Sequence, residues 1–209
     1  MAQPIDRIHY YTAEEYLVLE AAAADKSEYY DGEIIAMADN SENHDFITGN
    51  LNADLNVALR GTDCKAYTSE MKVQVKSKKF FTYPDGMVIC GKRKLAEGRT
   101  NIITNPTLIV EVSSPSTYKY DRTDKFRLYS TLESLRQYVL VDQKRVFIEI
   151  FQRDSLDDEW RYHPYNDLKD ILKLEAVGFQ TPIANIYNNV IFLEGRRSGI
   201  SHPGTRNND

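Results

Sequence analysis

The sequence feature that most constrains the fold is an apolar run in the segment PTLIVEVSSPS, residues 106–116. Its hydrophobic residues follow one another instead of alternating with polar ones, which predicts a strand buried on both faces of a sheet. Glu111 interrupts this run, and burying an ionised carboxylate is costly unless it is paired, protonated or bound to a metal. Because the irregular SSPS sequence follows, we expect Glu111 near the carboxyl end of the strand. A salt bridge from a flanking helix and a metal site both remain open.

The surrounding pattern predicts helices and strands on either side of this strand. Thr12 and Glu15 form a capping box that begins a short helix. We expect two more helices, over residues 44–60 and from about 119 to 133, with several short strands between and after them. The strand–helix–strand unit at 107–142 implies at least one parallel pair of strands. The predicted fold class is α/β (α+β), a mixed β-sheet flanked by helices.

The length of 209 residues allows one domain with a substantial core, and no linker of Gly, Ser or Pro divides it. We predict a single domain over residues 1–195 and a polar, disordered tail over residues 196–209. No apolar run approaches the roughly 20 residues of a membrane span. Cys64 and Cys90 lack zinc-site spacing, and we expect buried free thiols in a reducing compartment. The sequence thus predicts a cytoplasmic protein without a membrane partner.

The formal net charge of −5 argues against broad, charge-driven binding of nucleic acid, which depends on Lys and Arg neutralising phosphates. It does not exclude a local basic patch. Two basic clusters stand out in the sequence, and they comprise Lys72, Lys76, Lys78 and Lys79, and Lys92, Arg93, Lys94 and Arg99. Each cluster is either a solvated surface or a contact for an acidic partner.

Asp85 lies in the sequence Tyr-Pro-Asp-Gly, in which the flanking Pro and Gly indicate a tight turn before a strand. A turn Asp can simply accept hydrogen bonds from its own backbone. Together with Glu111, however, it can converge on one Mg²⁺ ion, which prefers carboxylate and carbonyl oxygens. The carbonyl of Val112 is a candidate third ligand, because the chain leaves regular structure there. Such an ion polarises a phosphodiester and lowers the pKa of bound water.

Lys125 is the candidate cation for stabilising the charge that develops in such a hydrolysis. It lies in DRTDKFRLY, where Asp121, Lys125 and Tyr129 are spaced i, i+4 and i+8 on one predicted helix face. The alternative is a surface ion pair between Asp121 and Lys125, which would contribute little to stability.

Glu33 and His44 complete the candidate residues. Asp31-Gly32 predicts a hairpin turn, and in the strand after it Glu33 and Ile35 point the same way. A charged and an apolar side chain on one face are typical of a cleft lining, although an edge-strand Glu facing water is the alternative. His44 opens the second predicted helix, where it binds a phosphate or a water, or serves as a cap or surface residue.

Taken in order, these segments resemble the Uma-two family of restriction-endonuclease-like proteins, which is abundant in cyanobacteria. The resemblance covers about residues 12–192, and the matching motifs are DGEIIAMA, His44 opening a helix, YPDGMVIC, PTLIVEVSSPST, DRTDKFRLY and QYVLVD. It implies the core of the PD-(D/E)XK nucleases: a helix, a three-stranded antiparallel sheet, a second helix and a strand added in parallel. It further implies that Asp85 and Glu111 bind metal and that Glu33 supplies another acidic group.

The chain departs from the superfamily pattern at one position. The superfamily lysine is expected two residues after Glu111, where this chain has Ser113. Lys125 matches the lysine that recurs in the family and could reach the same space from another backbone position.

The combined prediction is an endonuclease that depends on Mg²⁺ (or Mn²⁺) and hydrolyses phosphodiester bonds in DNA. Its predicted catalytic residues are Asp85, Glu111, Lys125 and Glu33, and its metal ligands are Asp85, Glu111 and Val112. One alternative is a nuclease-fold binding or structural protein whose site has decayed, motivated by the missing lysine and the acidic net charge. Another is a metal hydrolase with a small phosphorylated substrate. A homodimer would suit an enzyme that must meet two strands.

Overall fold

A computed structural model describes residues 9–37, 40–75 and 79–192 of the chain. In this part helices pack against two larger β-sheets and a small hairpin, which confirms the predicted α/β (α+β) class with mixed sheet. The predicted tail, residues 196–209, lies outside the described residues, as do Lys76 and Lys78 of the first basic cluster. Within the described ranges, no helix is long and apolar enough to cross a membrane.

The first sheet has five short strands. They are β1 (Ser27–Tyr30), β2 (Glu33–Ala36), β4 (Lys72–Val75), β5 (Phe80–Thr82) and β7 (Ile102–Ile103). Their spatial order is β2-β1-β5-β4-β7, and only β4 and β7 pair in parallel. The predicted hairpin turn at Asp31-Gly32 joins β1 to β2, and both turn residues have positive φ. Helix α1 (Ala13–Ala22) begins at the predicted capping box and packs on this sheet through Tyr16.

The second sheet has six strands and forms the centre of the molecule. They are β3 (Cys64–Thr68), β6 (Gly86–Cys90), β8 (Leu108–Ser113), β9 (Gln137–Asp142), β10 (Ile148–Gln152) and β11 (Arg161–Tyr165). Their spatial order is β11-β10-β9-β8-β6-β3. The pair β8 and β9 is parallel, as predicted for the strand–helix–strand unit, and the other pairs are antiparallel.

Both faces of the second sheet are covered. One face packs against α2 (Glu42–Ala58), α5 (Ile183–Ile186) and the hairpin of β12 (Ile171–Leu174) and β13 (Phe179–Pro182). The other face packs against the first sheet and the helix that follows β8. All six residues of β8 are buried, so the prediction of a strand buried on both faces is confirmed.

The helix after β8 is shorter and less regular than predicted. It consists of α3 (Tyr118–Tyr120), a π-helical segment (Asp121–Lys125) and α4 (Phe126–Tyr129), so the predicted end at residue 133 was wrong. In the π-helical segment the carbonyl of Asp121 accepts the N–H of Phe126 and also the hydroxyl of Tyr138, at 2.9 Å. An added side-chain donor of this kind favours a local departure from the α-helical ladder, and π segments are frequent at functional sites.

The prediction of buried free thiols was also wrong. Cys64 and Cys90 are direct partners in the antiparallel pairing of β3 with β6, and they form a disulfide with a Cα–Cα distance of 4.0 Å. Both are only half-buried. The error has a simple reason: the two cysteines become neighbours only through strand pairing, which their spacing of 26 residues does not reveal.

Candidate active site

The candidate site lies where the chain crosses from the first sheet to the second. Strand β5 ends at Thr82 and β6 begins at Gly86, so Asp85 stands at the crossing, directly before β6, as predicted. A pocket of about 420 Å³ opens here between the two sheets, the start of α2 and the helix at 118–129. Its buried polar lining consists of Glu28, His44, Asp85, Glu111, Asp121, Lys125 and Gln143.

The carboxylate of Asp85 is held in place from two other elements. Its Oδ2 accepts the backbone N–H of Val112 in β8, at 2.7 Å, and lies 3.1 Å from Nε2 of His44 in α2. The side chain of Asn52 donates to the backbone carbonyl of Asp85, at 3.1 Å. A side chain at Gly86 would approach Asn52 Oδ1 to 3.1 Å, so the glycine permits this close packing. The carboxylate of Asp85 therefore lines the pocket and contacts β8 and α2. In the described part of the chain it does not act as the hydrogen-bond acceptor of its own turn.

Glu111 is only 4% exposed, and its Oε1 has two partners. The hydroxyl of Tyr129 donates to it at 2.8 Å, and Nζ of Lys125 lies 3.0 Å away. Burial raises the pKa of Glu111 well above its ordinary value, Lys125 opposes this, and the nearby Asp85 carboxylate raises it further. A salt bridge from the flanking helix is therefore present, and it lies in the same pocket as Asp85.

Lys125 is buried and surrounded by carboxylates, so the alternative of a surface ion pair was wrong. Its Nζ lies 2.9 Å from Glu28, 3.0 Å from Glu111 and 3.9 Å from Asp121. Burial alone lowers the pKa of Lys125, but the three carboxylates outweigh it and hold the pKa well above the ordinary value. The ammonium enters the space beside Glu111 from the π-helical segment, while the buried Ser113 carries only a short side chain.

Glu33 does not join this group. Its side chain is exposed, and its strand partner is Tyr30, two residues along β1 from Glu28. Ile35, on the same side of β2, lines the pocket, but Glu33 stands one strand repeat of about 7 Å farther along. The expectation that Glu33 lines the cleft is therefore corrected.

Glu28 takes the position that sequence reasoning gave to Glu33. It is 6% exposed, contacts Lys125 and accepts a hydrogen bond from the hydroxyl of Thr82. The only sequence signal for it was a carboxylate inside the short aromatic strand SEYY, the same kind of signal that Glu111 gave within its apolar run.

His44 is 7% exposed and points at Asp85. The cap of α2 is Ser41, whose side chain accepts the N–H of His44, so the readings of His44 as a cap or a surface residue do not hold. Its contact with Asp85 allows it to position that carboxylate, and binding of a phosphate or of a water stays a prediction.

The pocket holds more negative than positive charge. Four buried carboxylates, Glu28, Asp85, Glu111 and Asp121, face one buried ammonium, Lys125, which leaves a formal charge of −3 when all are ionised. Burial also raises the pKa of Asp121, and the ammonium of Lys125 opposes this rise. An imbalance of this size is costly in a desolvated space, so the pocket favours the uptake of a proton or a cation.

The pocket contains oxygen donors of the type that hard divalent ions take. Within the described ranges no three His, Cys, Asp or Glu side chains form a group that could hold a metal by themselves. Mg²⁺, however, commonly keeps several waters and binds through one or two carboxylates. Asp85 and Glu111 are oxygen donors that line one pocket and interact electrostatically. Val112 contributes its N–H to Asp85, while a role for its carbonyl stays a prediction.

Two proteins of Synechocystis sp., both described as uncharacterised, are similar in sequence. One is 37% identical over 179 residues, which covers 86% of this chain and 92% of that protein; the other is 36% identical over 149 residues, covering 71% and 84%. The crystal structure of a "putative nuclease" from Anabaena variabilis matches with a TM-score of 0.68 at 16% identity, over 85% of this chain and 97% of that one.

The structural match confirms the predicted nuclease-like fold. The family model described as "Uma2: Putative restriction endonuclease" matches residues 13–184, most of the chain. The protein therefore belongs to the Uma2 family, in agreement with the resemblance seen in its sequence motifs.

Proposed function

We propose that the protein is an endonuclease that depends on Mg²⁺ or Mn²⁺ and hydrolyses phosphodiester bonds in DNA. The observation that carries the proposal is the buried group of Asp85, Glu111 and Lys125 in one pocket with an excess of negative charge. A pocket that needs a cation, beside a fixed ammonium, has the parts that metal-assisted phosphodiester hydrolysis requires.

In this proposal Asp85 and Glu111 hold the ion. When bound, the ion would polarise the phosphodiester and lower the pKa of a bound water. The N–H of Val112 and the ring of His44 orient Asp85, and the hydroxyl of Tyr129 orients Glu111. These contacts fix both carboxylates before substrate arrives, so little reorganisation is needed at the moment of reaction.

Lys125 acts as a permanent positive charge. Because its pKa is held well above the ordinary value, it stays protonated at neutral pH and does not serve as a base. It can stabilise the negative charge that develops on the phosphate oxygens. Glu28 and Asp121 keep the ammonium in position.

A plasmid-nicking assay tests the proposal. Purified protein should nick plasmid DNA with Mg²⁺ or Mn²⁺ and stop when EDTA is added. Asp85→Asn and Glu111→Gln should each abolish nicking, while Glu159→Gln, an exposed carboxylate with no part in the pocket, is the matched control. Undiminished nicking by the Asp85 and Glu111 variants would point to a contaminating nuclease and sink the proposal.

A decayed nuclease that only binds is the second candidate. It is favoured by the lack, among the described residues, of a three-ligand metal group, and by Ser113 in place of the superfamily lysine. Calorimetry separates the two functions. Heat of Mg²⁺ or Mn²⁺ binding that disappears in Glu111→Gln supports the enzyme, whereas no binding at millimolar metal supports the decayed protein.

The proposal extends to the setting of the enzyme. We propose a homodimer, because closed two-fold dimers are the commonest soluble oligomers. We also place the protein in the cytoplasm, where a disulfide such as Cys64–Cys90 is rare. Sedimentation of the full-length protein tests the dimer. Fractionation of cells that produce it tests the location.

A further inference from the structure

The pocket has a second half that the metal chemistry does not use. Part of its wall is formed by Ile35, Ala36 and Met37 at the end of β2 and by Tyr120. Ile35 is 41% exposed although it lies beside buried Glu28, its partner in the strand pairing. Within the described residues the ring of Tyr120 makes no contact with another aromatic ring, unlike most rings of the central core.

Several described cations of the two basic clusters lie away from this pocket. The loop with Lys92, Arg93 and Lys94 follows the far end of β6, five residues or about 16 Å from Asp85. Lys79 lies at the turn before β5, at the end of the first sheet remote from Thr82, and pairs with Asp31. Lys72 is buried beside Glu20, at 3.9 Å.

Apart from Lys125, the described lining of the pocket carries one lysine, Lys144, and no arginine. Nonspecific binding of a duplex depends on many Lys and Arg contacts to phosphates along its length. An apolar wall with an unstacked tyrosine suits a base, because base–aromatic stacking works with any base.

The depth of the site points in the same direction. Asp85 and Glu111 line the pocket and are both buried, so the scissile phosphate must enter the pocket to reach them. In an intact duplex the adjoining base is stacked and paired, and drawing it out costs a few kcal/mol, least when the base is already unpaired.

We propose that the pocket takes an unpaired nucleotide, so that the substrate is single-stranded or locally unpaired DNA, with Tyr120 and the Ile35–Met37 wall receiving the base. The inference rests on the proposed function for the position of the phosphate. It adds the form of nucleic acid that the site accepts and a binding residue, Tyr120, outside the metal and lysine group.

The test uses the full-length protein with Mg²⁺ and three fluorescein-labelled DNAs of one sequence: a single strand, its duplex, and the duplex with an unpaired flap. Fluorescence anisotropy measures binding, and gel analysis of the same samples measures cleavage. The variants are Tyr120→Ala and Tyr120→Phe. The control is Tyr10→Ala, which removes an exposed tyrosine near Gly32, at the end of the β1–β2 hairpin remote from the pocket.

We expect the single strand and the flap to bind at least about tenfold more tightly than the duplex, the worth of one base–aromatic stack. Tyr120→Ala should lose about tenfold in single-strand affinity, while Tyr120→Phe and Tyr10→Ala should keep it. If Tyr120→Ala is unfolded by circular dichroism, Tyr120→Leu takes its place, since Leu fills the space without an aromatic ring.

The outcomes separate the inference from the function beneath it. Equal binding and cleavage of duplex and single strand would overturn the inference and leave the nuclease intact, as would an unchanged preference in Tyr120→Ala. A Tyr120-dependent preference for single strands without any cleavage would support the inference and count against the nuclease.

Discussion

Two buried glutamates on one face of the six-stranded sheet have opposite surroundings. Glu111 in β8 and Glu149 in β10 are both paired in register with Leu140 of the strand between them. Glu149 is 1% exposed and accepts hydrogen bonds from Arg122 Nε at 2.9 Å and from the hydroxyls of Tyr118 and Tyr162 at 2.7 and 2.9 Å. One carboxylate thus meets one guanidinium, and its charge is balanced.

Glu111 has no such balance, because it shares the single ammonium of Lys125 with Glu28 and Asp121. The difference distinguishes a buried charge that stabilises the fold, Glu149, from one that can bind a charge from outside the chain, Glu111. A matched carboxylate with several donors fixes the fold, whereas an unmatched group leaves room for a charge from outside the chain.

The balanced cluster around Glu149 and the unbalanced cluster around Glu111 are linked by one helical stretch. Tyr118 and Arg122, which hold Glu149, precede Lys125 on the same helical stretch. The balanced cluster therefore anchors the segment that carries the ammonium into the unbalanced one. Pocket residues do not include Glu149, which supports its assignment as an anchor.

The largest expected difference between the clusters is catalytic. Asp85→Asn and Glu111→Gln should each lower the rate of metal-dependent cleavage by about 10²-fold or more, the usual loss when a preorganised electrostatic group is removed. Glu149→Gln should lower it less than tenfold per folded molecule. Initial rates of plasmid nicking measure this. A Glu149 variant as inactive as the Glu111 variant would erase the distinction between the two clusters.

Removing the cation of each cluster should lower the free energy of unfolding by different amounts. Lys125→Met leaves the carboxylates of Glu28, Glu111 and Asp121 facing each other without their cation, and breaking such a buried pair costs about 3–5 kcal/mol. Arg122→Ala should cost about 1 kcal/mol, because its side chain is 40% exposed and two tyrosine donors remain on Glu149. Urea unfolding in EDTA measures both, and a smaller loss for Lys125→Met than for Arg122→Ala would contradict the comparison.

Metal should stabilise only the unbalanced cluster. At a Mg²⁺ concentration about 100 times Kd, binding to the folded state adds about 2.7 kcal/mol to the free energy of unfolding. We expect the Tm of the unmodified protein and of Glu149→Gln to rise on adding Mg²⁺. The Tm of Glu111→Gln should not respond. A rise of equal size in all three proteins would place the ion elsewhere.

The pH dependence of the free energy of unfolding tests, without metal, whether Glu111 takes up a proton in the folded protein. Burial raises the pKa of Glu111 above its ordinary 4.5, so the folded protein keeps a proton that the unfolded chain releases. The free energy of unfolding therefore falls as pH rises from 4.5 through the folded pKa. Glu111→Gln should flatten this fall by about 1 kcal/mol per pKa unit removed. Lys125 adds no slope there, since its stabilising effect is lost only above its unfolded pKa of 10.5.

That pH profile is measured by urea unfolding in EDTA at several pH values between 4.5 and neutrality. Glu149→Gln serves as the matched control, because it removes a buried carboxylate from the balanced cluster. If Glu111→Gln shows the same pH slope as the unmodified protein, Glu111 does not carry the extra proton of the folded state.

The smallest effect distinguishes two glutamates of one hairpin. Glu28→Gln weakens the hold on Lys125 and should lower the cleavage rate several-fold to tenfold. Glu33→Gln changes an exposed side chain and should stay close to the unmodified rate. The reverse order of rates would restore the original sequence interpretation of this hairpin and contradict the strand register.

The order of elements followed from the sequence because its signals are local or periodic. The apolar run of β8, the capping box before α1 and the hairpin turn at Asp31-Gly32 each lie within a few residues of one another. The parallel pairing of β8 with β9 followed from a helix between two strands. Local patterns also brought forward Asp85 in a tight turn, Glu111 in an apolar run and Lys125 at helical spacing from Asp121.

The sequence by itself determined these elements and the main charged residues of the pocket. Only the tertiary structure decided that Glu28 and not Glu33 faces Lys125, that residues 121–125 form a π-helical segment, and that Cys64 meets Cys90. The physical reason is shared by all three. Each depends on contacts between segments far apart in the chain, and one step in register or one added donor from another strand changes which side chain is buried.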